Sequence, residues 1–253
     1  MARKARKKSK SGIYHIMMRG INRQSIFEEE EDYKRFIETI QKYKEKSGYE
    51  VYGYCLMGNH VHILMKIGKE PLEQVMRRIG GSYVYWYNRK YDRIGNLFQD
   101  RFKSEPVEDD AYLLTVHRYI HQNPIKAGLV NSLEEYKWSS YYEYVNEGKL
   151  VNTDFTLNIF NNDREEAMER FIQYNNESND DICLDIEKRH RISEAEARTI
   201  IKEVCRVKVP FDLQNIDKEI RNVYLKELKE KYRLSIRQIE RLTGINRGIV
   251  LKA

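Results

Sequence analysis

The chain has 253 residues, of which 41% are hydrophobic and 33% are charged, and its formal net charge is +6. This length accommodates one large domain or a core domain with a smaller one, and we favour two domains. No apolar run approaches the roughly eighteen residues of a membrane span, no signal peptide follows Met1, and the three cysteines show no C-x-x-C spacing. These features argue against a membrane protein, a zinc ribbon and a disulfide framework, and we expect a protein of the reducing cytoplasm.

Positive charge is concentrated at the start of the chain. Residues 1–10 carry six basic side chains and no acidic one, whereas the rest of the chain has 39 bases and 39 acids. A flexible basic arm on a neutral body is typical of proteins that bind phosphate groups, and it is equally typical of a solvated tail.

The elements between residues 13 and 107 have a recognisable order. Apolar spacing predicts a strand at 13–18, a helix at 30–46, adjacent antiparallel strands at 50–57 and 60–67, a helix that opens at Pro71 and an extended segment at 97–107. This order predicts an α+β fold, a ferredoxin-like antiparallel sheet with helices on one face. The other face of such a sheet would be open, and an open face suits a nucleic-acid strand.

Two histidines lie one residue apart at the start of the fourth predicted element. Side chains alternate along a strand, so His60 and His62 point to one face while Val61 and Ile63 point to the other. Two neighbouring imidazoles make a bidentate metal face. The alternative is a strand whose histidines are solvated or paired with carboxylates, and a third ligand is needed to favour the metal.

The segment 109–122 supplies candidates for that third ligand. It is predicted to be a helix that starts at two acidic residues and ends at Asn123-Pro124. If the last turn remains helical, Tyr119 and Asn123 share one face, whereas His117 and His121 point elsewhere. The alternative is that Tyr119 packs in the core and Asn123 caps the helix.

The C-terminal part has a different, helical pattern. Residues 151–185 are expected to form a helical connector with a polar linker, and residues 186–253 to form an all-α helix-turn-helix domain. Residues 221–253 hold nine bases against three acids, so duplex DNA is the expected partner of this domain. The alternative is a small helical bundle that only packs on the first domain.

Two motifs together resemble those of a known family. His60-Val61-His62 has the histidine, bulky hydrophobe, histidine order of the HUH enzymes, and residues 118–130 resemble the second block of the single-tyrosine HUH transposases. The similarity is strongest to the REP-associated tyrosine transposases of bacteria. It covers roughly residues 10 to 145, which include Tyr14-His15 and Arg19-Gly20, and the domain is placed at residues 11–150 behind a basic arm at 1–10.

The resemblance implies roles for individual residues. Tyr119 would be the nucleophile, His60 and His62 would be metal ligands with Asn123 as the third, and the cofactor would be Mg²⁺ or Mn²⁺. The implied reaction is metal-dependent cleavage and transfer of single-stranded or hairpin DNA through a 5′-phosphotyrosine. Basic and amide side chains expected to contact nucleic acid are Arg19, Arg23, Arg101 and Lys103 in the first domain and Arg237, Asn246 and Arg247 in the second.

Two other functions are compatible with these motifs. One is a DNA-binding regulator that keeps the HUH fold without cutting DNA, and the other is a replication or conjugation nickase. We expect a bacterial protein of the cytoplasm that is associated with the nucleoid. DNA is its expected partner, no membrane association is expected, and a homodimer is left open.

Overall fold

The computed structural model of the chain describes residues 6–146, 148–184, 192–232 and 234–253. The chain divides into two compact units, residues 1–185 and 186–253. Within the described ranges, no helix combines the length and the apolar character needed to cross a membrane.

A four-stranded antiparallel sheet organises the first unit. Its strands are β1 (Ile13–Arg19), β2 (Glu50–Met57), β3 (His60–Lys66) and β4 (Lys103–Val107), in the spatial order β2-β3-β1-β4. This is the order of a ferredoxin-like sheet, as predicted. The segment expected to be extended from residue 97 is a strand only from residue 103, and before it Phe98 forms an isolated bridge with Gly20.

Two helices cover one face of the sheet. They are α1 (Glu30–Ser47) and α2 (Leu72–Lys90), and they pack on the side chains of Ile16, Val61 and Ile63, all of which are fully buried. The helix α1 ends at Gly48, whose φ of 68° is the left-handed conformation that favours glycine at the end of a helix. The predicted period of apolar side chains in both helices is confirmed.

A third helix covers part of the second face of the sheet, so the expectation that this face is open is wrong. The helix α3 (Asp110–Lys126) buries Leu113, Val116 and Ile120 in a second core with Leu64 of β3. These three residues recur at helical spacing and make an apolar stripe. The face expected to be open is therefore partly occupied, and the histidines lie beneath a helix.

The helix α3 also continues past the residue where it was expected to end. Pro124 lies inside its last turn, and the amide of Ala127 donates to the carbonyl of Asn123. A proline removes one intrahelical donor, which a final turn tolerates better than a helix interior. The condition for Tyr119 and Asn123 to share a face is met.

The segment expected to connect two domains packs into the first unit. Its helices are α5 (Thr153–Phe160) and α6 (Arg164–Asn176), which follow the short α4 (Tyr141–Val145). They bury Leu157 and Phe171 in the same core cluster to which α1 and α2 contribute. The chain beyond α6 is fastened to α3, because Asp181 forms an ion pair with Arg118 at 2.8 Å.

The described part of the basic arm is docked. The Arg6 guanidinium donates to the carbonyl of Phe102 at 2.9 Å and lies 3.8 Å from the centre of that ring, and the amide of Lys10 donates to Glu108 at 3.0 Å. The expectation of a flexible arm is wrong for residues 6–10, and residues 1–5 lie outside the described chain.

The second unit is helical throughout its described residues. Its helices are α7 (Glu194–Cys205), α8 (Lys218–Glu230), α9 (Ile236–Thr243) and α10 (Arg247–Lys252), with a 3-10 turn at Pro210–Asn215. Leu225, Leu228, Ile239 and Val250 form its core. A capping box of Ser193 and Glu196 starts α7.

Candidate active site

The two histidines of the H-x-H motif lie side by side on β3. Their ring centres are 5.1 Å apart, and His62 is fully buried while His60 is half-buried. The Nδ1 of His60 lies 2.6 Å from Oδ1 of Asn59, an acceptor, so Nδ1 carries the proton and Nε2 carries the lone pair. This is the tautomer in which Nε2 can bind a metal.

His62 has a buried ring nitrogen without a hydrogen-bond partner, as His117 also has at Nδ1, but only His62 lies beside His60 and Tyr119 among the described residues. Its Nδ1 lies 2.9 Å from Nε2 of His15, whereas its own Nε2 is buried and has no hydrogen-bond partner among the residues that the structure describes. Burial, together with the charges of His15, His60 and Arg19, lowers the pKa of His62 well below its ordinary value of 6.5. The ring is neutral at neutral pH, which is the form that binds metals.

Tyr119 lies against these histidines. Its ring makes edge contacts with His62, at 5.6 Å between centres, and with His15, at 6.0 Å. The Nζ of Lys126 lies 5.8 Å from the centre of the same ring and brings a positive charge to it. The packing of α3 on the sheet is what places Tyr119 there.

Asn123 lies one turn beyond Tyr119 on the same helix. Its Nδ2 donates to the backbone carbonyl of Tyr119 at 3.0 Å, and the side chain is half-buried. The hydrogen bond uses the amide nitrogen, so the amide oxygen is the atom that is chemically suited to a cation. The predicted pairing of Tyr119 and Asn123 on one surface is observed.

The imidazole nitrogens of His60 and His62 and the amide oxygen of Asn123 are donor types that suit a divalent metal. Among the described residues, no three His, Cys, Asp or Glu side chains form a metal-binding cluster. A metal bound by His60 and His62 would therefore need a ligand of another type, and the amide oxygen of Asn123, one turn from Tyr119 on α3, is of a suitable type. The buried Nε2 of His62 is the observation that supports this fit, because a buried polar atom normally has a partner.

Two residues of the site were not predicted as functional. His15 of β1 is fully buried, and its Nδ1 lies 2.8 Å from Oε1 of Glu105 on β4. The register that pairs His15 with Glu105 across β1 and β4 creates this contact. Neither residue belongs to a motif with its own spacing, so only the order and register of the strands reveal them.

The predicted basic contacts of the first unit lie in two places. Arg19, at the end of β1, is paired in register with His60, and Arg23 is exposed, with a φ of 61°. Arg101 and Lys103 are exposed and line a groove of about 730 Å³ beside β4 together with Arg6 and Lys7. Burial and the nearby charge of Arg101 lower the pKa of Arg6, so cations crowd this groove.

The remaining predicted contacts lie in the second unit. Arg237 is exposed on α9, and Asn246 and Arg247 are exposed at the start of α10. The Oδ1 of Asn246 accepts from the amide of Gly248 at 2.8 Å, so this side chain caps α10. A contact of the Asn246 side chain with DNA would therefore use its amide nitrogen.

Comparison with known proteins gives concordant results for the first unit. Residues 8–123 match the family model described as "Transposase IS200 like". A Haemophilus influenzae protein named "Putative REP-associated tyrosine transposase" is 24% identical over an alignment of 111 residues, and the match covers 38% of this chain and 61% of that protein. The match therefore spans less than two thirds of the relative's length.

A solved structure shares the fold. It is that of a REP-associated tyrosine transposase bound to a REP hairpin, with a TM-score of 0.50 and 21% sequence identity, and the match covers 61% of this chain and 90% of that one. The sequence motif, the sheet order and the family match agree with one another. Residues 8–123 thus resemble the IS200-like transposases in sequence, and the fold agrees with that resemblance.

Proposed function

We propose that this protein cuts and rejoins single DNA strands with Tyr119 as the nucleophile, as a metal-dependent transposase. One observation carries the proposal. The Tyr119 ring lies against His62, whose buried Nε2 lacks a hydrogen-bond partner within the described residues. A nucleophile and an unused metal-binding nitrogen are thus side by side.

The proposed reaction requires a nucleophile and a nearby positive charge, and Tyr119 and Lys126 supply them. In the proposed step, Oη of Tyr119 attacks the phosphorus, its proton is lost, and the bond from phosphorus to the 3′-oxygen breaks. The products are a 5′-phosphotyrosine and a free 3′-hydroxyl, and the 3′-hydroxyl of another strand reverses the attack to join the two strands. A phenol has an ordinary pKa near 10, so a nearby positive charge such as that of Lys126 favours the attacking phenolate.

His60, His62 and the Asn123 amide would hold the metal, for which Mg²⁺ or Mn²⁺ is proposed. When bound, such an ion would withdraw charge from the scissile phosphate and stabilise the leaving 3′-oxygen. The residues of the chain fix the ligand geometry beforehand, because Asn59 orients His60 and His15 orients His62.

The substrate is proposed to be single-stranded DNA that contains a hairpin, by analogy with the hairpin in the structure of the relative. The groove beside β4 supports this proposal. It is lined by four cations, Arg6, Lys7, Arg101 and Lys103, against two acids, Asp100 and Glu105, so it presents a net positive charge to a phosphate backbone.

The second unit is proposed to bind duplex DNA as a helix-turn-helix. Gly244, with a φ of 71°, ends α9 and allows the tight turn into α10. Arg237 and Arg247 are exposed on these two helices and are the proposed phosphate contacts.

A cleavage assay tests the proposal. The full chain is incubated with an end-labelled single-stranded hairpin and Mn²⁺ or Mg²⁺. Wild type and Tyr85→Phe are expected to cut the strand, because Tyr85 is exposed on α2, whereas Tyr119→Phe and the His60→Ala, His62→Ala double variant are expected not to cut it. Cutting by Tyr119→Phe at the wild-type rate would contradict the proposal. A biological effect that Tyr119→Phe retains in full would favour the regulator.

A further inference from the structure

His62 is joined by hydrogen bonds to a second histidine, and that histidine is joined to a carboxylate. His62 Nδ1 lies 2.9 Å from His15 Nε2, and His15 Nδ1 lies 2.8 Å from Glu105 Oε1. The two imidazole rings are stacked with centres 5.2 Å apart, and both are fully buried. Three strands of the sheet thus contribute one residue each to a continuous hydrogen-bonded chain.

Glu105 is held as an acceptor at the outer end of this chain. Its Oε1 also accepts from the backbone amide of Leu184 at 2.9 Å. Burial raises the pKa of Glu105, but hydrogen bonds from His15, Leu184 and Tyr112 lower it, and the net shift is downward. A carboxylate can only accept hydrogen bonds, and this fixes the direction of the chain.

The direction of each hydrogen bond follows from that end. Because Glu105 accepts, Nδ1 of His15 donates, and in the neutral ring Nε2 of His15 is then an acceptor. Nδ1 of His62 must therefore donate to His15. The remaining nitrogen, Nε2 of His62, carries a lone pair, and it is the buried atom that has no hydrogen-bond partner in the described structure.

We propose that His15 and Glu105 are positioning residues for the metal site: they fix His62 as the tautomer whose Nε2 lone pair faces the metal. This inference rests on the proposed function, because it takes His62 as a metal ligand. The two residues do not touch the substrate. They act through His62, by setting its proton position, its ring orientation and its basicity.

The opposite direction of the chain would disable the site. If His15 donated to His62, the proton of His62 would lie on Nε2 and point into the buried place where a metal ligand is needed. An N–H group buried there without an acceptor would lose its hydrogen bond to water and gain none in return, which is unfavourable. The observed geometry with Glu105 as the terminal acceptor favours the productive direction.

The test measures Mn²⁺ affinity by titration calorimetry on the full chain without DNA. His15→Phe removes the acceptor for His62 while keeping a planar ring, and it is expected to weaken Mn²⁺ binding by about 10–100-fold. His15→Gln offers an amide oxygen in place of Nε2 and is expected to lose less. His117→Phe, which replaces another buried histidine outside this chain, is the matched control and is expected to bind Mn²⁺ like the wild type.

A double variant separates positioning from general damage to the fold. If Glu105 acts through His15, the single variant Glu105→Leu weakens Mn²⁺ binding. Adding Glu105→Leu to His15→Phe then weakens Mn²⁺ binding little further. In metal-free protein with ¹⁵N-labelled histidine, NMR is expected to show the proton of His62 on Nδ1 in the wild type but not in His15→Phe.

The outcomes are distinguishable from a failure of the proposed function. A wild type that binds no Mn²⁺ would overturn the metal site and, with it, this inference. Wild-type affinity in His15→Phe, or a His62 proton on Nε2 in the wild type, would overturn the positioning role alone and leave the metal site standing. Equal losses in His15→Phe and His117→Phe would show a structural effect and would also overturn it.

Discussion

The described histidines of the first unit divide into two groups with different tasks. His15, His60 and His62 lie on the sheet, where His60 and His62 are proposed to bind a metal and His15 to orient His62. His117 and His121 lie on the other side of α3 and are buried in hydrogen bonds to the protein: Nε2 of His117 donates to the carbonyl of Tyr52 at 2.7 Å, and Nδ1 of His121 pairs with Asn175 at 2.9 Å. The second group holds α3 against the rest of the unit.

The buried position of His117 predicts that the stability of the first unit depends on pH. Burial lowers the pKa of His117 from 6.5 to about 4, against a smaller raising effect of its bond to Tyr52. Below pH 6.5 the unfolded chain binds a proton that the folded chain does not, so the free energy of unfolding falls as the pH falls. Between pH 6.5 and 5 this single group is expected to cost about 1–2 kcal/mol.

Urea unfolding of the metal-free protein measures this effect. Trp86 and Trp138 are the two tryptophans of the chain, so tryptophan fluorescence reports on the first unit alone. His117→Gln is expected to reduce the pH dependence over this range even if it lowers the stability overall. The same slope in His117→Gln and wild type would show that His117 does not titrate as stated.

At the scale of elements, the sequence predicts what repeats with a regular period. The strands β1, β2 and β3 and the helices α1 and α2 follow from their apolar spacing, and the H-x-H motif follows from the alternation of β3. The pairing of Tyr119 with Asn123 depended on one turn of helix. That turn forms because a proline near the end of a helix costs less than one in its middle.

Other features of the fold depend on long-range contacts that no local pattern records. Leu113, Val116 and Ile120 make an apolar stripe on α3. The stripe shows that α3 buries one side, but it does not show which face of the sheet that side covers. The contact of His15 with Glu105 needs the register of β1 against β4. The docking of residues 177–184 on α3 needs Arg118, whose acidic partners lie about 60 residues later in a polar segment typical of linkers.

Arg118 is expected to anchor that segment. Its guanidinium bonds Asp181 through two nitrogens, at 2.8 and 3.2 Å, contacts Glu177 at 3.0 Å and lies 4.1 Å from the centre of the Tyr174 ring. Arg118→Ala removes these charge-assisted bonds from a site that is mostly buried. We expect the free energy of unfolding of the first unit to fall by about 1–3 kcal/mol and hydrogen exchange to rise at residues 177–184.

An exposed ion pair provides the control for this prediction. Arg170 pairs with Glu166 one turn away on α6, and both side chains are about half exposed. Arg170→Ala is therefore expected to change the free energy of unfolding by less than about 0.5 kcal/mol. Equal effects of the two variants would mean that the Arg118 contacts contribute no more than a surface pair.

At the scale of the whole molecule, the two units carry different surfaces for DNA. The groove beside β4 in the first unit is proposed to hold a single strand, and Arg237 and Arg247 in the second unit are proposed to contact a duplex. Each unit has its own core, so the two activities are expected to be separable by substitution.

Salt dependence distinguishes these two surfaces. The Arg237→Ala, Arg247→Ala double variant of the full chain is expected to bind duplex DNA more weakly. The slope of log affinity against log salt concentration is expected to fall by about 1 for each lost phosphate contact, while hairpin cleavage stays unchanged. Lys34→Ala, which removes an exposed base from α1, is the charge control. An unchanged slope in the double variant would contradict the helix-turn-helix proposal.

The central claim is that Tyr119 becomes covalently attached to DNA, and mapping the adduct tests it most directly. The full chain is incubated with a labelled single-stranded hairpin and Mn²⁺, denatured, digested and sequenced by mass spectrometry. Among the 19 tyrosines of the chain, we predict a denaturant-resistant phosphodiester on Tyr119 and none in Tyr119→Phe. An adduct that persists in Tyr119→Phe, or that maps to Tyr112, would contradict the assignment of the nucleophile.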